Sequence, residues 1–305
     1  MGDAFGVPFE FKAREEVKAA LARLGADEMP GYGSHGQPPG TWSDDSSLTL
    51  ATVDALLEGF SPRRLAKKFL DWYLLGEYTP HGIVFDVGGT TRRALKRIAV
   101  GVPPLKAGLS GEYDNGNGSL MRILPVAIYF SGNPTRELLR YVHMASKITH
   151  AHPRSLIACG IYSLTAANLL KGCGKLEAIR KATAEASAYY GEKWRGELKH
   201  FQRIISGEIA EAEEQQIRST GYVVDTLEAS LWAFLTSRSY RETVLKAAAL
   251  GGDTDTIAAV AGGLAGIHYG YSSIPRPWLE SLAKSSYVKS LCEEFARKTC
   301  ARLKR

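Results

Sequence analysis

Apolar residues recur along most of this chain with the 3.6-residue period of helices that have one buried face. Ser46 to Glu58 carries Leu48, Ala51, Val53, Leu56 and Leu57 on one side, which predicts a helix. Pro62 suits the first turn of the next one, running to about Leu75. Ser119 to Phe130 is apolar but contains Pro125, so a helix there must kink or break at the proline. Pro134 opens a helix through Arg140 and Ala145, and Pro153 opens a long one through Leu156, Ile161, Leu164 and Leu169. Further helical stretches are Leu176–Tyr190, Val223–Leu235, Arg241–Leu250 and Thr256–Tyr269, with two more near the C-terminus. The alternating pattern of half-buried strands is nearly absent. The expected fold is all-α, a single compact multi-helix orthogonal bundle with one domain over residues 1–305.

Three stretches interrupt the helical period with glycine: Met29 to Trp42, Asp114 to Ser119, and Gly251-Gly252 before Asp253. No internal repeat and no long Ser/Pro linker divides the chain. The stretch Ala258, Ala259, Ala261, Gly262, Gly263, Ala265 and Gly266 describes a helix almost without side chains. Glycine inside a helix costs roughly 0.5–1 kcal/mol relative to alanine. Very close packing by neighbouring helices offsets that cost, which places this helix at the centre and holds its N-terminus rigidly.

Composition narrows the class. The chain has 305 residues, 45% hydrophobic and 23% charged, which excludes intrinsic disorder as the main state. No apolar run approaches the roughly 20 residues of a membrane span. Met1 to Phe11 lacks a basic region followed by an apolar stretch, so no signal peptide is read there. Cys159, Cys173, Cys292 and Cys300 form no CxxC pair, which argues against a thiolate zinc site and for reduced thiols in a cytoplasmic protein, with a monomer as the default state. The net charge is +6, but the basic residues are scattered: Arg63-Arg64 with Lys67-Lys68, Arg92-Arg93 with Lys96-Arg97, and the tail from Lys298. Each reads as a solvated helix face, and no nucleic-acid motif accompanies them.

The chemistry concentrates in five segments. Trp42-Ser43-Asp44-Asp45-Ser46-Ser47 follows a glycine–proline loop and precedes a helix. Capping explains one carboxylate there and not two. Gly251-Gly252-Asp253-Thr254-Asp255-Thr256 heads the small-residue helix, and its polar groups converge only if Asp253 precedes the first turn. Capping again leaves Asp255 unpaired near a buried helix end, where a bare carboxylate is expensive. Four aspartates interleaved with hydroxyls form a hard oxygen set, suited to Mg²⁺ or Mn²⁺ rather than zinc. Asn115-Gly116-Asn117-Gly118-Ser119-Leu120-Met121-Arg122 can present backbone N–H groups to a diphosphate, or be a plain Asn-Gly turn. Glu10 lies between Phe9 and Phe11 after Pro8, where an apolar setting raises a carboxyl pKa; an exposed loop glutamate is the alternative. His150, in Thr149-His150-Ala151-His152-Pro153, is either a cap or a substrate contact.

In this order the five segments resemble the ADP-ribosylglycohydrolase family. Its pattern runs Gly-Asp-Ala-x-Gly-x-Pro-x-Glu, Trp-Thr-Asp-Asp-Thr, Gly-Asn-Gly-Ser-x-Met-Arg, a Thr-His element, then Gly-Gly-Asp-x-Asp-Thr. The match covers Gly2 to about Gly266. The resemblance implies an all-α fold with two Mg²⁺ or Mn²⁺ ions in a central cleft, held by Ser43, Asp44, Asp45, Asp253, Asp255 and Thr256. It implies that Glu10, Asp44, Asp45 and Asp255 serve the chemistry. Substrate binding falls to Gly116, Asn117, Gly118, Ser119, Met121 and Gly252, with Asp114 and His150 near the distal ribose. Ser43 departs from the family's threonine, keeping the oxygen and losing a methyl. The family's short helical lead-in before Gly-Asp-Ala has no counterpart before Met1.

The implied reaction is metal-dependent hydrolysis of the glycosidic bond between ADP-ribose and an acceptor, arginine on an ADP-ribosylated protein being the first choice. A serine-linked, nucleotide-linked or O-acetyl adduct is the alternative, so the partner is an ADP-ribosylated protein or a small molecule containing ADP-ribose. Acceptor contacts are expected on the loops Thr79–Gly89 and Leu105–Asp114. A non-catalytic ADP-ribose binder of the same fold is the reading from another class, and four intact aspartates argue against it. Nucleic acid is expected only as a modified substrate.

Overall fold

A computed structural model describes residues 1–25 and 27–303. In chain order its α-helices are α1 (Gly2–Gly6), α2 (Arg14–Leu21), α3 (Asp44–Leu57), α4 (Pro62–Leu75), α5 (Gly89–Ala99), α6 (Pro104–Ala107), α7 (Leu124–Tyr129), α8 (Thr135–Ser146), α9 (Pro153–Leu170), α10 (Lys175–Tyr190), α11 (Arg195–Leu198), α12 (Gln202–Ser206), α13 (Val223–Thr236), α14 (Tyr240–Ala249), α15 (Thr254–Tyr269), α16 (Arg276–Ser281) and α17 (Ser285–Leu303). Among the described residues no strand forms. Two isolated bridges, Leu109 to His150 and Gly116 to Tyr222, tie loops together.

Local signals set many of these boundaries. Ser61 caps α4 by accepting from Arg64 N, Pro62 occupies its first turn, and Gly76 ends it at φ 72°. Pro125 lies in the first turn of α7, so the expected helix over Ser119–Phe130 is shortened. Residues 119–122 form turns instead, because the proline ring would clash with the carbonyl four residues earlier. The helices expected from Ser46 and from Thr256 both begin two residues sooner, at Asp44 and Thr254. Two acidic segments thereby become helical first turns.

Beside a small cluster of Ala4, Trp42 and Leu50, the main core cluster reaches from Phe5 to Phe295. Its centre is α15, which packs against α1, α3, α9, α13 and α14. The small residues of α15 permit this crowding. A Cβ added at Gly2 of α1 would lie 2.0 Å from Ala258 O, and one added at Gly263 would lie 2.6 Å from the Tyr162 hydroxyl. That hydroxyl donates to Val260 O at 2.9 Å. Buried α9 forms the second layer, covered by α8 and α10. The N-termini of α3 and α15 thus meet in rigid surroundings.

Candidate active site

At the head of α3 two side chains share the capping. Ser43 is the N-cap, and its Oγ accepts from Asp45 N at 3.3 Å. Asp3 of α1 takes further donors there: Oδ1 accepts from Ser43 N (2.9 Å) and Ser43 Oγ (3.0 Å), and Oδ2 from Ser46 N (2.8 Å). Asp3 therefore supplies the negative charge that the helix terminus favours. Asp44 and Asp45 are released from capping, although both are buried. Asp3→Asn places amide hydrogens against these donors. The expected loss is about 3 kcal/mol, since hydrogen bonds to a charged group contribute roughly 1.5–3 kcal/mol each. The check is a lower urea midpoint at unchanged slope; an unshifted midpoint would contradict it.

At the head of α15, Gly251 (φ 68°) and Gly252 (φ 69°) take left-handed backbone, and a Cβ on Gly252 would lie 2.1 Å from Ser219 O. This double turn sets Asp253 before the helix as its N-cap. Asp255 and Thr256 follow in the first turn. Asp253 Oδ2 accepts from Asn117 Nδ2 at 2.8 Å, and Thr256 Oγ1 donates to Asp45 Oδ2 at 3.2 Å. The two acidic segments are in contact across 211 residues of sequence.

Charge here is unbalanced. Asp45 Oδ1, Asp253 Oδ1 and both Asp255 oxygens are buried without a hydrogen-bond partner. Carboxylate oxygens of Glu10, Asp253 and Asp255 lie within 4.8 Å of one another. Burial pushes Glu10 up to about 7; its bond to His35 opposes this, while Asp86 and Asp253 add to it. Burial drives Asp44 well above the carboxylate range, and Asp86, Asp3, Glu10 and Asp253 push the same way. Asp45 is raised by burial, then by Asp3 and Asp44. Asp255 is raised by burial, then by Asp45 and Glu10. Buried like charges of this kind are expensive unless a cation compensates them. Orphaned oxygens in an oxygen-only donor set fit a hard divalent cation.

The cluster opens into a cavity of about 340 Å³ lined by Glu10, Asp44, Asp45, Asp253 and Thr256, by Gly116, Asn117, Gly118 and Met121, and by His150. A Cβ on Gly118 would lie 2.8 Å from His150 Cε1 and 3.0 Å from Thr91 Oγ1, so only glycine keeps this wall open. His150 Nδ1 lies 2.8 Å from Thr149 Oγ1, which also accepts from Arg122 Nη2 at 2.8 Å. Burial first, then Arg122 and Arg93, lower the His150 pKa to about 3, so the ring is neutral at physiological pH.

Other expected residues stand back from the cavity. Ser43 is engaged by Asp3, and Asp255 is fully buried and does not line the cavity. Ser119 Oγ accepts from Ser146 Oγ at 2.8 Å, and Gly252 backs onto Ser219. The Asp114 carboxylate is held by Arg93 and by Gly111 N. Several lining or supporting residues escaped the sequence reading. His35, whose Nε2 lies 2.5 Å from Glu10 Oε2, comes from the glycine–proline loop and carried no signal. Asp86, Gly88 and Gly89 fall within the loop expected to meet the acceptor. Thr90 and Thr91 continue it into α5, as glycines followed by hydroxyls at a helix start.

The profile of the ADP-ribosylglycohydrolase family matches residues 1–304. An ADP-ribosylarginine hydrolase of Serratia proteamaculans is 31% identical over 97% of this chain and 76% of its own length. An ADP-ribosyl-[dinitrogen reductase] glycohydrolase of Rhodospirillum rubrum is 30% identical over 92% and 86%. A solved structure described as an ADP-ribosylglycohydrolase-related protein complex superposes with a TM-score of 0.79 at 32% identity, covering 98% of this chain and 94% of that one.

Proposed function

We propose, from the premise that this chain belongs to the ADP-ribosylglycohydrolase family, that it hydrolyses the glycosidic bond joining ADP-ribose to arginine on an ADP-ribosylated protein. The observation that carries the reading is the set of buried, partnerless carboxylate oxygens where α3 meets α15, opening onto a glycine-walled cavity. The similarity to arginine hydrolases from Serratia proteamaculans and, at 33% identity, Pseudomonas putida supports the choice of acceptor.

Ser43, Asp44, Asp45, Asp253, Asp255 and Thr256 would hold two Mg²⁺ or Mn²⁺ ions, whose chemistry is Lewis-acid polarisation of ribose or water oxygen. The chain's own groups do the rest. Glycosidic cleavage passes through an oxocarbenium-like state, and the cavity opening from the carboxylate cluster is where the ribose would sit. Glu10, anchored by His35 and titrating near neutrality, is suited to hold a proton for the leaving nitrogen or to take one from the attacking water. Gly116 and Gly118 let a diphosphate approach the backbone closely, beside the neutral ring of His150. Asn117 orients Asp253 through its 2.8 Å bond.

A monomeric, cytoplasmic enzyme of one domain over 1–305 completes the reading. Four free cysteines support a reducing compartment, and among the described residues no helix is long and apolar enough to cross a membrane.

The test is incubation with arginine-linked and serine-linked ADP-ribosylated proteins, with Mg²⁺ or Mn²⁺ and with EDTA. The expected result is release from the arginine-linked substrate only, lost in EDTA. Release from the serine-linked substrate alone would move the assignment to another adduct. ADP-ribose binding without turnover of either would make the chain a non-catalytic binder.

A further inference from the structure

A second concavity, of about 400 Å³, shares no lining residue with the acid cluster's cavity. It is formed by α8 and the end of α10 with the turn that follows. His143 and Tyr190 are its buried members, with His143 Nε2 2.8 Å from the Tyr190 hydroxyl. The half-buried Trp194 ring stacks on Tyr190 at 5.6 Å and 20°, and Tyr189 meets Tyr190 edge-on at 5.0 Å. Arg136, Arg140, Lys147 and Lys193 surround these rings. Arg140 bonds to the Tyr141 hydroxyl and lies over that ring, and the Lys193 ammonium lies 4.9 Å from the Trp194 ring centre. Among the described residues none of the four cations has an ion-pair partner, and Glu192 is the only carboxylate lining the groove.

Elsewhere on this protein basic side chains near carboxylates pair with them, as Lys68 does with Asp54 and Arg154 with Glu112 and Glu197. Four unpaired cations around an aromatic floor therefore present uncompensated positive charge next to the half-buried rings of Trp194 and Tyr189. Each half of that combination suits a different part of one ligand class. Guanidinium and ammonium groups take phosphate oxygens, and aromatic faces stack on bases. A volume of 400 Å³ falls in the range of small-molecule sites.

We propose that this groove binds a nucleoside phosphate, the base against Trp194 and Tyr189 and the phosphate among Arg136, Arg140, Lys147 and Lys193. The ligand is either a free nucleotide or the nucleotide portion of an ADP-ribose group on a modified protein.

The experiment titrates AMP and inorganic phosphate into the full chain by calorimetry. The proteins are wild type, the double variant Arg140→Glu with Lys147→Glu, Trp194→Ala, and the cavity variant Asp253→Ala with Asp255→Ala, each checked by circular dichroism. AMP binding is expected to persist in the cavity variant and to weaken at least tenfold in the charge-reversal variant. It should also weaken in Trp194→Ala, where phosphate binding is unchanged. AMP affinity indifferent to charge reversal, or lost only in the cavity variant, would overturn the proposal, as would phosphate binding as tightly as AMP. The two sources separate by kinetics. A KM for ADP-ribosylated protein raised by charge reversal at constant kcat upholds the modified protein as ligand, and an unchanged KM with AMP binding lost upholds the free nucleotide.

Discussion

Alanine at both Asp253 and Asp255 is expected to abolish turnover, by a thousandfold or more, while the helical circular dichroism stays intact. Loss of one preorganised electrostatic group already costs about 10²–10³ in rate, and this change removes two of the carboxylates around which the cluster is built. Asp253 gives up one hydrogen bond, from Asn117, and the fold has no need of the Asp255 carboxylate. Neither oxygen of Asp255 has a hydrogen-bond partner, and the residue is fully buried. Asp255→Ala alone should therefore raise the thermal midpoint measured in EDTA, since a buried unsatisfied polar group costs about 1–3 kcal/mol. Adding Mn²⁺ or Mg²⁺ should raise the midpoint of wild type by mass action and leave the double variant unmoved. A lower midpoint for Asp255→Ala in EDTA would show that the carboxylate is structural, and the proposed centre would lose its support.

Gly6→Ala should damage both stability and turnover without touching a charged group. A Cβ at this position would lie 2.4 Å from Asp255 Cα and 2.5 Å from both Asp255 N and Thr254 O. These are backbone atoms with no rotamer to escape into, so α1 must move away from α15. That movement separates Asp3, which caps α3, from the turn that carries Asp255. The cost is about 3 kcal/mol, in the usual range for overpacking, and kcat should fall at temperatures where the variant is still folded. Gly196→Ala is the control: nothing lies within 4 Å of its Cβ, so its urea midpoint should stay level or rise slightly. Equal midpoints for the two variants would mean that the α1–α15 contact does not set the site.

The long apolar-periodic helices were the legible ones. The expected ranges for α4, α9, α10 and α13 agree with the structure to within about a residue at each end. The pattern failed on shorter helices: α2, eight residues long, was not expected although Val17 is buried and Glu15 and Glu16 are exposed. The α1 helix is five residues long and buried throughout, so no amphipathic stripe marks it. The α5 helix begins at Gly89, which reads as a loop residue, although its basic face was visible as Arg92-Arg93 with Lys96-Arg97. The small-residue stretch was legible for a different reason. Glycine and alanine on every face of a helix cannot be explained without close neighbours, and α1 supplies one through Gly2 and Gly6.

The sequence alone determined the chemistry available: an oxygen-rich set at two helix starts, a glycine turn ahead of Asp253, and a doubled Asn-Gly loop. These follow from residue type and short-range spacing, which the local backbone obeys directly. Tertiary structure decided which of these groups are free to act. Asp3 and Asp45 both lie in the first turn of a helix, yet Asp3 is spent on the α3 backbone and Asp45 keeps an oxygen without a partner. That difference arises because α15 lets α1 approach closely enough for Asp3 to reach the end of α3. A contact spanning some forty residues of sequence, made through a third helix more than two hundred residues further along, leaves no trace in local pattern.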